Sequence, residues 1–292
     1  MLCIKQTIAE APLRRALHQH LARRDPERDP RNIHASEVTK EDMEYCARAP
    51  VLKVRLNIKP KDQFVTTAMA VTWEWGRLVE WQVREWFAEL DMAVGDWRCL
   101  HKPCGRIYGW CKRPKQCQNC KGEAFEYSER RALSAASGIG SGIDLMVDYG
   151  RPLLELVEVK SIDKEKFAAL EAPLSEHRRR TKLYLRGMSE SEDPVWKRVN
   201  QQRGRVLYVS KGGYGVKDPE IGTWGITDGQ FSPFKEYVIE RDDADVDHLV
   251  DRALAAREGM AGGAIPPRLC KALASPRAQK CPVMDACWKM AG

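Results

Sequence analysis

Between residues 67 and 90 the apolar positions Trp75, Leu78, Val79, Val83 and Trp86 recur at helical spacing, which predicts one long helix whose tryptophans belong to a core. Downstream the pattern turns to strands, at residues 124–130, 143–148 and 153–162. The last two are joined by Asp148-Tyr149-Gly150-Arg151-Pro152, a tight-turn sequence, so they are expected to form a hairpin. A helix over 175–186 follows, then a polar loop over 189–194, a strand over 205–210 and an amphipathic helix marked by Val246, Leu249, Val250 and Leu254. Helix, three strands, helix and strand in that order predict an α/β layer fold. Upstream, Leu13, Leu17 and Leu21 share one face of a basic helix within residues 8–24, and Pro26 and Pro30 among alternating charges read as a linker. Ordered structure is expected to begin at Ile33, with Ser36 or Thr39 capping a short helix through Met43 to Cys46. Residues 259–267, rich in Gly and Pro, read as a hinge into the tail, and no internal repeat is present.

The 292 residues suffice for one core carrying a smaller module, and 43% hydrophobic with 30% charged residues describes an ordinary soluble globular protein. No apolar run reaches membrane-spanning length and the start lacks a signal-peptide h-region, so an intracellular protein with no membrane partner is expected. A net charge of +7 leans toward polyanionic partners, though many basic proteins never touch nucleic acid. The ten cysteines change the picture more. In a reducing compartment they are metal ligands more often than disulfides. Five crowd into residues 99–120, three close the chain, and Cys3 and Cys46 stand alone.

Glu158-Val159-Lys160 lies in the strand 153–162, where period-two geometry puts Glu158 and Lys160 on one face and Val159 on the other. Asp144 precedes it across the expected hairpin. Two close carboxylates repel unless a cation lies between them, and hard oxygen ligands suit Mg²⁺ or Mn²⁺. Such a cation acidifies water and offsets charge on a phosphate, while Lys160 orients that water or supports the developing charge. A bare Glu-x-Lys is also an ordinary solvated strand face with a cross-strand ion pair.

The company of these residues adds to the reading. Ser137-Gly138-Ile139-Gly140-Ser141-Gly142-Ile143-Asp144 followed by Glu158-Val159-Lys160 resembles the signature of RecB-like PD-(D/E)XK nucleases. Ile33-His34-Ala35-Ser36 with Cys46 resembles the upstream motif of that branch, which implies His34 as a further metal ligand beside Asp144, Glu158 and the Val159 carbonyl. The run from Glu176 to Tyr184 resembles its final helix motif, with Arg180 standing where Gln is usual. His177, Arg180 and Tyr184 share a helical face suited to a DNA phosphate or, equally, to solvent.

Cys99-x₄-Cys104 and Cys117-x₂-Cys120 have the general form of a zinc ribbon, with Cys111 and His101 as spare ligands. Lys102, Arg106, Lys112, Arg113, Lys115 and Lys121 surround it, and Tyr108 and Trp110 offer stacking surfaces. At the far end Cys270, Cys281 and Cys287 need a fourth ligand, for which Cys46 is the natural candidate. One early and three late cysteines around a nuclease core resemble the iron–sulfur nucleases: AddB-type helicase–nucleases, CRISPR-associated RecB-like exonucleases and phage exonucleases. That resemblance implies a [4Fe-4S] cluster stapling the C-terminus to the core, although Cys270-x₁₀-Cys281 departs from the short Cys-x₂-Cys of the best-known members. Buried free cysteines or a second zinc site are the alternatives.

Together these expectations describe an α/β PD-(D/E)XK core, a mixed central sheet flanked by helices, over residues 33–98 and 123–258. Residues 1–32 form a basic arm, 99–122 an inserted zinc ribbon, and 259–292 the cysteine segment completing an iron–sulfur site with Cys46. The resemblance implies a cytoplasmic DNA exonuclease in a bacterium or a phage-infected cell, acting on single strands or duplex ends in recombination, repair or phage DNA processing, beside recombination or replication proteins. Two other classes compete: an inactive nuclease fold that binds DNA through its ribbon, and a redox-sensing iron–sulfur protein. Intact Asp144, Glu158 and Lys160 argue against the first, and the lack of an electron-carrier motif against the second.

Overall fold

The computed structural model describes residues 29–40, 44–58, 62–134, 137–211 and 232–290, with the short pieces 16–17, 20–21, 23–26, 216–217 and 224–225. In chain order it runs β1 (Arg23–Pro26), β2 (Ile33–His34), α1 (Ala35–Val38), α2 (Arg48–Arg55), β3 (Asp62–Val65) and α3 (Thr67–Glu89). Then come β4 (Ala93–Cys99), β5 (Ile107–Lys112), β6 (Phe125–Ser128), β7 (Arg131–Leu133), β8 (Ile139–Gly142), β9 (Leu145–Val147) and β10 (Leu154–Ile162). After these come α4 (Lys164–Ala168), α5 (Ser175–Glu190), β11 (Val199–Ser210), β12 (Phe234–Glu240), α6 (Asp247–Met260), α7 (Pro276–Gln279) and α8 (Met284–Lys289), besides a 3-10 turn at Pro194–Arg198 and a two-residue strand pair, Val216–Lys217 with Trp224–Gly225.

The centre is a mixed sheet of order β12-β11-β10-β9-β4-β5, with β6 also on β4. Within this sheet β10 and β11 pair in parallel and the other neighbours antiparallel; β9 and β10 form the expected antiparallel hairpin. Strand β10 is rich in Leu and Val, and its first six residues are all buried, the mark of a strand covered on both faces. Leu154 and Leu156 pack with Leu183, Leu185 and Met188 of α5 and with Leu249, Val250 and Ala253 of α6. The alternate residues Val157 and Val159 pack with Val83 and Ala88 of α3 and with Trp97 of β4. Fully burying one such side chain contributes about 1.5–3 kcal/mol, so β10 is a firmly held strand on which to mount a site.

Helix α3 starts where the pattern predicts, with the Thr66 hydroxyl accepting from the Met69 N–H as an N-cap. Its tryptophans, however, are not core. Trp75, Leu78 and Trp86 are 58, 54 and 42% exposed. The apolar residues spread over more than one side of the helix, and the sheet covers mainly the stripe Val79, Val83 and Phe87, spaced i, i+4, i+8, with Ala88 beside it.

Other departures have similar local causes. Of the short helix expected through Met43 to Cys46, residues 41–43 lie outside the described residues; the described part is a single turn, α1, which Thr39 ends rather than starts, its hydroxyl donating to the Ala35 carbonyl at 2.9 Å. Arg23–Pro26, read as linker, pairs antiparallel with β3. Most of the predicted arm helix over 8–24 lies outside the described residues. The stretch 259–267 is not a free hinge: α6 runs to Met260, Arg55 donates to the carbonyls of Gly259 and Gly263, and buried Arg48 donates to Pro266 at 3.0 Å. Three carbonyls captured by two arginines of α2 hold it against the core. Among the described residues, no helix is long and apolar enough to cross a membrane.

Candidate active site and metal centres

The β9–β10 hairpin gathers the chemistry. Asp144 immediately precedes β9, and Glu158 and Lys160 are alternate residues of β10. Asp144 Oδ2 accepts from the Val159 N–H at 2.9 Å and from Lys160 Nζ at 3.1 Å. Lys160 Nζ also lies 2.7 Å from Glu158 Oε1 and donates to the Val159 carbonyl at 2.8 Å. An ammonium therefore stands between the two carboxylates, at the place where charge repulsion demands a cation.

Two further acids converge there that sequence reasoning missed. Carboxylate oxygens of Glu80, on α3, and Glu129, just after β6, lie with that of Asp144 within 4.8 Å of one another. Arg84, one turn beyond Glu80, donates Nε to the Asp144 carbonyl at 2.7 Å and pairs with Glu129. The spacing Glu80-x₃-Arg84 was the available signal, since i and i+4 share a helical face. The glycine run before Asp144 has a steric reason as well: a Cβ at Gly142 would run into the Glu129 carboxylate.

Burial sets the ionisation of these groups. Burial, with the Asp144 charge next, pushes Glu80 up to about 7. Asp144 is raised by burial and by the Glu158 charge beside it. Burial works against ionised Glu158 too, but Lys160 and Arg180 outweigh it and hold the carboxyl below its ordinary range. Lys160 is raised despite burial, because Asp144 and Glu158 flank it. Glu158 is 1% exposed and its Oε2 has no hydrogen-bond partner. An orphaned buried carboxylate oxygen is costly and invites a ligand, and the hard oxygen set suits a divalent cation.

His177, Arg180 and Tyr184 do share one face of α5, but it turns inward. Tyr184 is buried in the core. His177 Nδ1 lies 2.8 Å from the Tyr208 hydroxyl, and burial, with Lys160 and Arg180 nearby, lowers its pKa to about 3, leaving it neutral. Arg180 reaches Glu158 Oε1 at 3.0 Å. His34 sits on β2, in register with Gly140 of β8, and is not part of the Glu80–Glu129–Asp144 group; nor is Glu158, which joins Asp144 through Lys160.

The cysteines form two different settings. The sulfurs of Cys99, Cys104, Cys117 and Cys120 lie within 4.8 Å of one another, with Cys99–Cys120 at 3.5 Å and Cys104–Cys117 at 3.7 Å. Tetrahedral zinc with Zn–S near 2.3 Å needs sulfurs about 3.8 Å apart, so this quartet fits a single ion. Cys111 and His101 stand outside it. The Tyr108 hydroxyl donates to Cys117 and is the first cause of its thiol being lowered to about 6, toward the thiolate a metal requires. The stretch is continuous with the sheet, since Cys99 ends β4 and β5 pairs back onto β4.

Cys46, Cys270, Cys281 and Cys287 instead line one pocket, open in part to solvent, between α2 and the tail. Burial raises the Cys281 thiol, and the other three add to the shift by proximity. No three of these sulfurs come within 4.8 Å, so they do not close on one ion as the first quartet does. Four thiols lining one pocket are the donor set of either an iron–sulfur cluster or a zinc ion.

No family model matches the sequence, and no curated protein does. Among solved structures, an alkaline exonuclease (LHK-Exo) from Laribacter hongkongensis is similar at 13% identity and a TM-score of 0.40, over 85% of this chain and 92% of that one. LHK-Exo in complex with dAMP gives 14% and 0.41 over 80% and 89%. A third, SSO0001, gives 12% and 0.37 over 99% of each chain.

Proposed function

We propose that this chain is a divalent-cation-dependent DNA nuclease that hydrolyses phosphodiester bonds, most simply as an exonuclease in recombination, repair or phage DNA processing. One observation carries the reading: acids from α3, the end of β6 and the turn before β9 gather at one point, and a lysine of β10 stands between the last of them, Asp144, and Glu158. Asp144 with Glu80, and Glu158 with the Val159 carbonyl, would hold Mg²⁺ or Mn²⁺; His34 is the further ligand that the sequence motif suggests. A cation there supplies Lewis acidity, which acidifies water and offsets phosphate charge. Lys160 can orient that water through Nζ and stabilise the charge that grows on the phosphate oxygens. The Val159 N–H fixes the Asp144 carboxylate, so little reorganisation is needed when substrate arrives. A binding-only protein would have no use for a buried carboxylate with an orphaned oxygen. The quartet Cys99, Cys104, Cys117 and Cys120 would hold zinc, and Cys46, Cys270, Cys281 and Cys287 a [4Fe-4S] cluster that ties the tail to α2.

The test is digestion of single- and double-stranded DNA by cation-free protein with and without added Mg²⁺ or Mn²⁺. Cleavage only with the cation, and its loss in Glu80→Ala, supports the proposal. Stoichiometric DNA binding with no cleavage under any of these cations would favour a binding protein instead.

A further inference from the structure

Arg180 is unusually placed for a DNA-contacting arginine. It is largely buried, its Nη1 shares Glu158 Oε1 with Lys160 at 3.0 Å, and its Nε is buried with no acceptor. A buried donor without a partner costs free energy comparable to a lost hydrogen bond, so this guanidinium has capacity that the protein itself does not fill. Its planar fork matches two oxygens of a phosphate.

The charges around it do not balance for a cation alone. Four carboxylates (Glu80, Glu129, Asp144 and Glu158) face three side-chain cations: Lys160, Arg180 and Arg84. With all four ionised, as a bound cation requires, a divalent ion leaves one positive charge in excess; Glu129 is exposed to solvent, so the excess is screened least at the buried end, where Asp144, Glu158, Lys160 and Arg180 meet. One DNA phosphodiester removes the excess. Were residue 180 neutral, the same four carboxylates would balance the cation with no DNA present.

Resting on the nuclease reading above, we infer that Arg180 couples cation loading to DNA: it weakens the cation in the free protein and, once the cation takes Glu158, engages the phosphate beside it. Arg180 is a positioning residue in this scheme until substrate arrives, and then a phosphate ligand. Premature loading of the empty site is disfavoured, and by thermodynamic reciprocity the cation tightens DNA as much as DNA tightens the cation.

The experiment measures Mn²⁺ binding from the free-Mn²⁺ EPR signal, with and without an uncleaved phosphorothioate oligonucleotide. In the wild type the oligonucleotide should tighten Mn²⁺ at least tenfold. Arg180→Gln should bind Mn²⁺ at least tenfold more tightly than wild type in the absence of DNA, and should lose most of the coupling. Arg180→Lys, which keeps the charge, should retain weak DNA-free binding. Equal or weaker DNA-free Mn²⁺ binding in Arg180→Gln overturns the inference while leaving the nuclease reading standing. Should Arg180→Gln fail to fold, the wild-type measurement decides alone, because Mn²⁺ affinity indifferent to the oligonucleotide also overturns it. A wild type that binds no Mn²⁺ with DNA present takes down the nuclease reading itself.

Discussion

Replacing Glu80 with Gln should make the cation-free protein much more stable at pH 8 and only slightly more stable near pH 5. Glu80 is raised from 4.5 to about 7, first by burial and then by the Asp144 charge. Its folded pKa exceeds its unfolded one, so the folded state binds the proton more tightly between those values. Stability from this group is therefore greatest at low pH and falls as pH rises from 4.5 through 7. The shift corresponds to at most about 3 kcal/mol, at 1.36 kcal/mol per pH unit. Gln imitates the protonated acid, so the variant escapes the penalty that the wild type suffers above pH 7. Urea unfolding followed by tryptophan fluorescence reads this directly. With an m-value of about 3 kcal/mol/M the midpoint at pH 8 should rise by up to about 1 M. Divalent cations should be dialysed away rather than chelated, to spare the cysteine sites. Adding Mg²⁺ should reverse the order at pH 8, because only the carboxylate gains a ligand. An equal offset at pH 5 and pH 8, or a Gln variant less stable at pH 8, would refute the electrostatic account of this cluster.

Aerobically purified protein should contain about one zinc per chain by metal analysis; Cys117→Ser should lose it and Cys111→Ser should keep it, since Cys111 stands outside the quartet. Anaerobic preparations should be brown with about four irons per chain, and Cys281→Ser should lose the colour, melt earlier and open to protease in the tail. Zinc in place of iron there would point to a second structural ion. Truncating Leu156, fully buried in β10, to Ala should cost about 2–5 kcal/mol in urea titrations, because the site's strand loses its packing against α5.

The hairpin β9–β10, the helices α3 and α5 and the quartet of clustered cysteines were legible in the sequence because each has a local signature: alternation, helical period or ligand spacing. Glu80 and Glu129 were not. They reach Asp144 from elements 64 and 15 residues away in the chain, and nothing local distinguishes them from surface acids. Arg180 stood out as a departure from a motif, yet its pairing with Glu158 depends on how α5 crosses β10. The exposed tryptophans of α3 show the reverse failure. Helical spacing identified the helix, but which stripe meets the sheet is decided by tertiary packing. The 259–267 stretch read as a hinge from its Gly and Pro alone, and two arginines more than 200 residues away fasten it.

The central claim is that Asp144, Glu158 and Lys160 act together on a phosphodiester. End-labelled single- and double-stranded DNA should be digested with Mg²⁺ or Mn²⁺ by the wild type and by Asp144→Ala, Glu158→Ala and Lys160→Ala, with DNA affinity measured in parallel. The account predicts cation-dependent cleavage by the wild type and its loss in all three variants, each still folded and still binding DNA. Near-normal cation-dependent cleavage by Glu158→Ala would contradict it.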